Sequence, residues 1–442
     1  MAIDLLHDLK KICKDQKIGQ ENLYTPTYKT GLDILDYRNG KMVDGKPVVG
    51  IDGGKMFAIV GNSGVGKSSI ALQMAVNIIK EYENGSIIYF DFERSMNLGR
   101  IQALTKYTNE EINKNVLLLN QGLSSESLWK LLKALEAQKL EKDNYKDIKI
   151  DSGKFDDEGN TIWELPPTVI IVDSIATMIP KTQLDDEEVT GSMGAASVAK
   201  INNQIFKKCP GILESANITL ISINHITQAI DIGVIKKQAK VNYLKQDESL
   251  PGGRSGTYLA SYILRLTASS KLEDDKEFFI KGFRVIGEFI KNRSNEAGRK
   301  FDMVFSQATG YDNILTNYSN IKKAGFIKGA GRGMYLESLP TKKFTQKKYR
   351  EMYLTDKEFR EAVDKITLDL YSTYIPKTLD NSIKEESTNL EEVTLETKKE
   401  ENKLTLGKCI DEEQDIWEGS DGLLYTSDFT LVEYEEEEYE EE

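Results

Sequence analysis

The sequence predicts an α/β protein, with a mostly parallel central sheet flanked by helices and an antiparallel edge. Three observations carry that expectation. Residues 61–68 read Gly-Asn-Ser-Gly-Val-Gly-Lys-Ser, a complete G-x-x-x-x-G-K-[ST] loop between an apolar run, Met56–Val60, and a helically spaced run, Ser69–Ile79. Buried-strand runs then alternate with helical patterns as far as Ile223, as a largely parallel sheet requires. Two further strand runs, Tyr262–Leu266 and Phe283–Ile290, follow each other with no helical pattern between them, which predicts the antiparallel edge.

The elements follow in chain order. Ile3, Leu5, Leu6, Leu9, Ile12 and Cys13 fall roughly on one face of an amphipathic helix, so residues 1–35 read as an N-terminal helix and oligomerisation segment, the apolar face packing either on its own domain or on a neighbouring subunit. The core spans 36–310, with strands expected at Met56–Val60, Ser86–Asp91, Val116–Asn120, Thr168–Asp173 and Ile218–Ile223. Leu128, Leu131, Leu132, Leu135 and Leu140 give a helix before the polar stretch 141–166, which reads as a surface hairpin or excursion. From 311 to 375, short helices and Gly-rich turns predict a small α+β C-terminal domain. Residues 376–442 are rich in Glu, Lys, Ser and Thr, the composition of a disordered acidic tail.

Composition narrows the class. No apolar run approaches a membrane span, and the N-terminus lacks a basic-then-apolar export signal. Cys13, Cys209 and Cys409 are far apart and odd in number, and His7 and His225 are the only histidines. Neither a disulfide framework nor a zinc site is indicated, and a reducing cytoplasm is the expected location. The net charge of −13 is a tail property. Residues 384–442 hold five Lys/Arg and 22 Asp/Glu, a balance of −17, while the other 383 residues hold 53 basic and 49 acidic groups, a balance of +4. The acidity therefore says nothing against nucleic-acid binding by the body.

The chemistry is organised around the glycine-rich loop. Gly61, Asn62, Ser63, Gly64, Val65, Gly66, Lys67, Ser68 and Ser69 are the candidate triphosphate site. The glycines let backbone N–H groups point at phosphate oxygens, and the helix N-terminus adds partial positive charge. Lys67 is expected at the β- and γ-phosphates and Ser68 on Mg²⁺. Asp173 closes the run Val169–Val172 at a strand end, where it would hold the same ion. Glu93, two residues beyond the strand ending at Asp91, is the candidate base that orients water, placed across from Lys67 by a neighbouring parallel strand; Asp91 is the competitor and the more structural of the two.

Asn224 and His225 form a polar pair after an apolar strand, suited to sensing the γ-phosphate. A long loop follows, Thr227 to Ser249, with Gln228, Lys236, Lys237, Lys240 and the apolar Ile232-Gly-Val-Ile235, closed by Pro251-Gly252-Gly253-Arg254. Lysines there would meet phosphates without regard to base, and small apolar groups would wedge between bases. The loop is therefore a candidate DNA-binding segment.

With these residues in order, the chain resembles the RecA-type DNA recombinases, and within them the phage, UvsX-like branch. The likeness runs from Thr30-Gly-Leu-Asp33 through Tyr335. It takes in the phosphate loop, Asp91-Phe-Glu93, Asp173-Ser174, Ser192-Met193-Gly194-Ala195-Ala196, Asn224-His225, Ile232-Gly-Val234 with Gly252-Gly253, and Lys291-Asn-Arg293. The resemblance implies a RecA-like P-loop ATPase core with ATP and Mg²⁺ as cofactors and Glu93 as catalytic carboxylate. It implies DNA-binding loops near 183–196 and 227–253, so Met193, Gly194, Gln228, Ile232, Lys236, Lys237, Lys240, Gly252, Gly253 and Arg254 become DNA-contact candidates. Lys291 and Arg293 would enter the neighbouring subunit's ATP site. Arg100 stands where many members stack an aromatic on adenine. The 141–166 excursion has no counterpart in the pattern, and the second loop is longer than in bacterial members.

The implied activity is homologous pairing and strand exchange by a helical filament on single-stranded DNA, with DNA-stimulated ATP hydrolysis. Homologous duplex is the second DNA partner, single-strand-binding and loading proteins are further ones, and no membrane is involved. The implied setting is a bacterial cytoplasm, with a phage gene as one source. Two other classes share the motif: a hexameric DNA helicase, which Lys291 and Arg293 would serve equally, and a regulatory ATP-binding scaffold. A helicase normally carries an N-terminal helical domain, whereas about fifty residues precede the phosphate-loop strand here.

Overall fold

The computed structural model describes residues 24–156, 159–184, 194–228, 248–251, 255–272, 280–376, 406–411, 416–419 and 424–426. The expected helix within residues 1–23 lies outside them. Residues Met1–Thr378 make one compact unit and Leu379–Glu442 a second.

The first unit is built on a nine-stranded sheet. Its strands in chain order are β1 (Met56–Gly61), β2 (Ser86–Asp91), β3 (Val116–Leu119), β4 (Thr168–Asp173), β5 (Ile218–His225), β6 (Tyr262–Leu272), β7 (Gly282–Asn292), β8 (Lys300–Ser306) and β9 (Gly310–Tyr311). In space they run β9-β8-β7-β6-β1-β5-β4-β2-β3. The pairings from β6 to β3 are parallel. Those joining β6, β7, β8 and β9 are antiparallel, so the expected edge is present.

Strands β1 and β4 are buried at every position, which is why they read as unbroken apolar runs. Side chains still alternate between faces. Phe57 and Ile59 face the cluster under α1 (Lys67–Ile79) and α2 (Leu98–Thr105), with Leu72, Ile223, Leu264 and Phe289. Met56, Ala58 and Val60 face α3 (Ser125–Leu140) and α4 (Gly194–Ser215), with Leu128, Phe206, Leu220 and Ile263. Register aligns His225 with Gly61 and Asp173 with Asp91, so the polar strand ends meet along one edge of the sheet.

The 141–166 stretch holds a helix, Lys142–Ile148, and the expected hairpin, Ile150–Phe155 paired antiparallel with Thr161–Glu164. The Lys149 ammonium lies 3.8 Å from the Trp163 ring centroid. Farther along, α5 (Asn313–Lys323), α6 (Gln346–Thr355) and α7 (Lys357–Ser372) enclose Tyr318, Phe344, Tyr349 and Phe359 beside a three-stranded sheet. That cluster also contains Leu272 of β6 and Val304 of β8. In the second unit, Leu406–Asp411, Ile416–Gly419 and Leu424–Thr426 pair as antiparallel strands. No helix among the described residues is long and apolar enough to cross a membrane.

Candidate nucleotide site and its loops

The phosphate loop leaves β1 and enters α1 through backbone that glycine favours. Gly64 has φ of +80° and Gly66 +85°. A Cβ at Gly66 would sit 2.6 Å from the Phe305 ring, whereas one at Gly64 would meet nothing within 4 Å. The loop is thus tight against the protein on one side and open on the other. Val65 anchors it: its side chain is buried and its carbonyl accepts from the Tyr311 hydroxyl at 2.8 Å. Asn62, Ser63 and Gly64 are exposed. No side chain caps the start of α1, which leaves its first-turn N–H groups facing the loop.

Lys67 is buried and donates to the carbonyls of Gly61 (3.0 Å) and Asn62 (2.8 Å). It also stands 3.3 Å from Nδ1 of His225, whose Nε2 is 3.0 Å from Oε1 of Glu93. The same Glu93 oxygen accepts from the Ser174 hydroxyl at 2.6 Å. A continuous chain Lys67–His225–Glu93–Ser174 therefore crosses the sheet edge. Because the Lys67 ammonium can only donate, a neutral His225 accepts at Nδ1 and carries its proton on Nε2, toward Glu93. The expectation of a neighbouring strand for Glu93 is corrected here. Strands β4 and β5 lie between β1 and β2, and His225 spans the gap.

Asp173 accepts from the Tyr89 hydroxyl at 2.6 Å and is hydrogen-bonded by Ser68. The peptide bond between Asp173 and Ser174 is cis. Asp91 instead accepts from the backbone N–H groups of Ser95 (3.0 Å) and Met96 (2.9 Å), so it shapes the turn that presents Glu93.

Electrostatics follow from burial and these partners. Burial pushes the Lys67 ammonium down to about 8, against the opposing pull of Asp173 and Glu93. Burial raises the Asp173 carboxyl, outweighing the bonds from Ser68 and Tyr89. Burial also works to raise Glu93, yet hydrogen bonds from Ser174 and His225 and the nearby charge hold it below the usual range. Glu93 is thus kept ionised at neutral pH beside the phosphate loop.

Arg100 lies within the same region. Its guanidinium donates to the Ser69 hydroxyl at 2.8 Å and to the Gln307 carbonyl at 2.7 Å, bridging α1 to the turn after β8. Lys291 and Arg293 are not brought to the loop. Antiparallel β7 carries them to the opposite end of the sheet, where Lys291 pairs in register with Ile263 and donates to the Tyr258 carbonyl at 2.6 Å.

Of the DNA-contact candidates, Gly194 opens α4 and Gln228 lies in a two-residue strand, Thr227–Gln228. Met193, Ile232, Lys236, Lys237, Lys240, Gly252, Gly253 and Arg254 lie outside the described residues. Both ends of the second loop are described. Thr227–Gln228 pairs antiparallel with Glu248–Ser249, and Asn224 donates to the Pro251 carbonyl at 2.9 Å. Sequence reasoning gave no role to Ser174, Tyr89, Glu248 or Arg265. The first two carry a signal, a hydroxyl beside or across from a strand-end acid; the last two carry none.

The parallel sheet, the phosphate loop and the acidic strand ends define a P-loop nucleotide-binding core. Within that class, the RecA N-terminal domain family matches residues 166–309, from just before β4 to just before β9. The chain is 25% identical to Protein RecA of Mycoplasma mycoides subsp. mycoides over 316 residues, which is 70% of this chain and 75% of that protein. It is 24% identical to Protein RecA of Aquifex aeolicus over 293 residues, 65% of this chain and 68% of the relative. For Protein RecA of Syntrophus aciditrophicus the figures are 22% over 260 residues, 58% of this chain and 62% of the relative. These matches support the RecA family.

Proposed function

We propose that this chain is an ATP-dependent homologous DNA recombinase that assembles as a filament on single-stranded DNA. It pairs that strand with homologous duplex and hydrolyses ATP when DNA is bound. One observation carries the reading. Adjacent residues at the end of β5 serve two sites, His225 touching Lys67 and Glu93 while Asn224 holds Pro251 beyond the long loop.

The site suits Mg²⁺ and ATP. A Cβ-free opening lies over Gly64, and Ser68 and Asp173 offer hard oxygen donors side by side. Among the described residues no group of three His, Cys, Asp or Glu forms a closed cage, which fits an ion that keeps waters and phosphate oxygens as ligands. When bound, ATP with Mg²⁺ supplies the phosphoanhydride and neutralises its charge.

The chain's own residues do the rest. Lys67 exchanges the Gly61 and Asn62 carbonyls for phosphate oxygens. Glu93, with Oε1 occupied by Ser174 and His225, orients a water through Oε2. His225 follows Lys67 and moves the adjoining loop, a two-state switch. Arg100 would stack on the adenine in place of the aromatic that many members carry. Lys291 and Arg293, remote from the loop of their own chain, reach the ATP site of the next copy, so turnover depends on assembly. The loops near 183–196 and 227–253 hold single-stranded DNA by its backbone and leave base edges free to test homology. The Asn224-His225 pair, where bacterial members carry Asn-Gln, favours the phage branch, and hence a phage-encoded protein working in bacterial cytoplasm.

Glu93→Gln tests the assignment. It should keep ATP binding while DNA-stimulated turnover falls by roughly a hundredfold or more. Wild-type turnover in that variant would move the base elsewhere. Electron microscopy with single-stranded DNA and a slowly hydrolysed ATP analogue should show open helices; closed rings would count against the filament.

A further inference from the structure

The long loop has two feet, an outgoing and a returning one. Thr227–Gln228 continues from His225, and Glu248–Ser249 returns beside it in an antiparallel ladder. The Glu248 carboxylate of the returning foot is ion-paired with the guanidinium of Arg265, a β6 residue. In the parallel pairing Arg265 lies beside Val60, one position before the phosphate loop begins at Gly61. The two side chains are 7% and 15% exposed, so the pair is largely desolvated. A pair of this kind contributes little net stability against an apolar replacement, yet it holds one geometry and penalises the loss of either member.

We propose that Arg265 is a positioning residue that pins the returning foot to the sheet. With one foot fixed, a displacement at His225 reshapes the loop. Without it, both feet would drift together along their ladder and the motion would be lost. Arg265 touches neither nucleotide nor DNA on this account; it sets how strongly one site feels the other. The inference rests on the recombinase reading, in which the loop holds DNA.

The test uses the full chain and a fluorescent oligodeoxythymidylate. Its affinity is compared in ADP and in a slowly hydrolysed ATP analogue, and turnover without DNA is measured in parallel. Arg265→Met should leave DNA-free turnover within about twofold while the affinity ratio between the two nucleotides shrinks by roughly tenfold. Glu248→Gln, nearly isosteric, should do the same, and it carries the test if Arg265→Met does not fold. The double variant should lose no more than either single one, since both remove one interaction. A wild-type affinity ratio in either single variant, or additive losses in the double, would overturn the role of the pair. If the wild-type chain itself shows no nucleotide-dependent affinity, the recombinase reading falls with it, and that outcome is distinct from the others.

Discussion

Lys67 concentrates the physics of the site in one side chain. Its ammonium is buried among carbonyls, burial outweighs the pull of Asp173 and Glu93, and it falls from the ordinary 10.5 to about 8. An unfolded chain binds more protons than the folded one between those two values, so the nucleotide-free protein gains stability as pH rises through that window. A triphosphate beside the ammonium would reverse the shift. ATP binding near pH 9 should therefore take up a proton, and binding near pH 6.5 should take up none at this residue. Titration calorimetry in two buffers of different ionisation enthalpy checks this, and Lys67→Met should abolish the difference. A buffer-independent heat near pH 9 would refute it. Lys67, Ser68 and Asp173 were legible in the sequence because the loop and the strand-end acid dictate their backbone surroundings. The contacts of Glu93 were not, because Ser174 and His225 reach it only through the order of strands, which local patterning does not encode.

At the level of elements, the apolar runs gave β1 to β7 of the nine sheet strands, while β8 (Lys300–Ser306) and β9 (Gly310–Tyr311) were not among the expected ones. Strand β6 runs on to Leu272, well past the expected Leu266, because its later half goes on pairing with β7 after the parallel pairing with β1 has ended. Thr267–Lys271 are exposed and carry no apolar alternation, and burial returns only at Leu272, so periodicity misses this half. The returning foot of the long loop is invisible for a similar reason: two residues and one ion pair to a strand seventeen positions later leave no periodic trace. The loop's basic character is nevertheless plain. Replacing Lys236, Lys237 and Lys240 with Ala should weaken binding to single-stranded DNA and reduce the slope of log K against log salt by about 2 if each lysine meets one phosphate. ATP affinity without DNA should stay near wild type. Equal loss of both would mark the loop as structural.

Over the whole molecule, charge is divided along the chain. Removing residues 384–442 would change the net charge from −13 to +4. Association with duplex DNA should then be stronger at low ionic strength, and the advantage should fade as the Debye length drops from about 10 Å at 0.1 M to about 3 Å at 1 M salt. Filter binding of both proteins across a salt series measures it. Equal affinities at low salt would assign the tail to solubility alone. This division was readable by counting, whereas the joining of residues 311–375 to the core through Leu272 and Val304 depends on packing that composition does not reveal.

The antiparallel return of β7, which sends Lys291 and Arg293 away from their own phosphate loop, has a genetic consequence. If Lys291 and Arg293 serve the next copy's site as proposed, a chain lacking Glu93 and a chain lacking the basic pair would each be inactive alone, each spoiling a different half of a shared boundary. Co-assembled in equal amounts, about one boundary in four should join two intact halves, as in any head-to-tail arrangement. Two inactive alleles mixed in one tube should regain roughly that share of wild-type turnover. Silence from the mixture would mean that each copy completes its chemistry by itself.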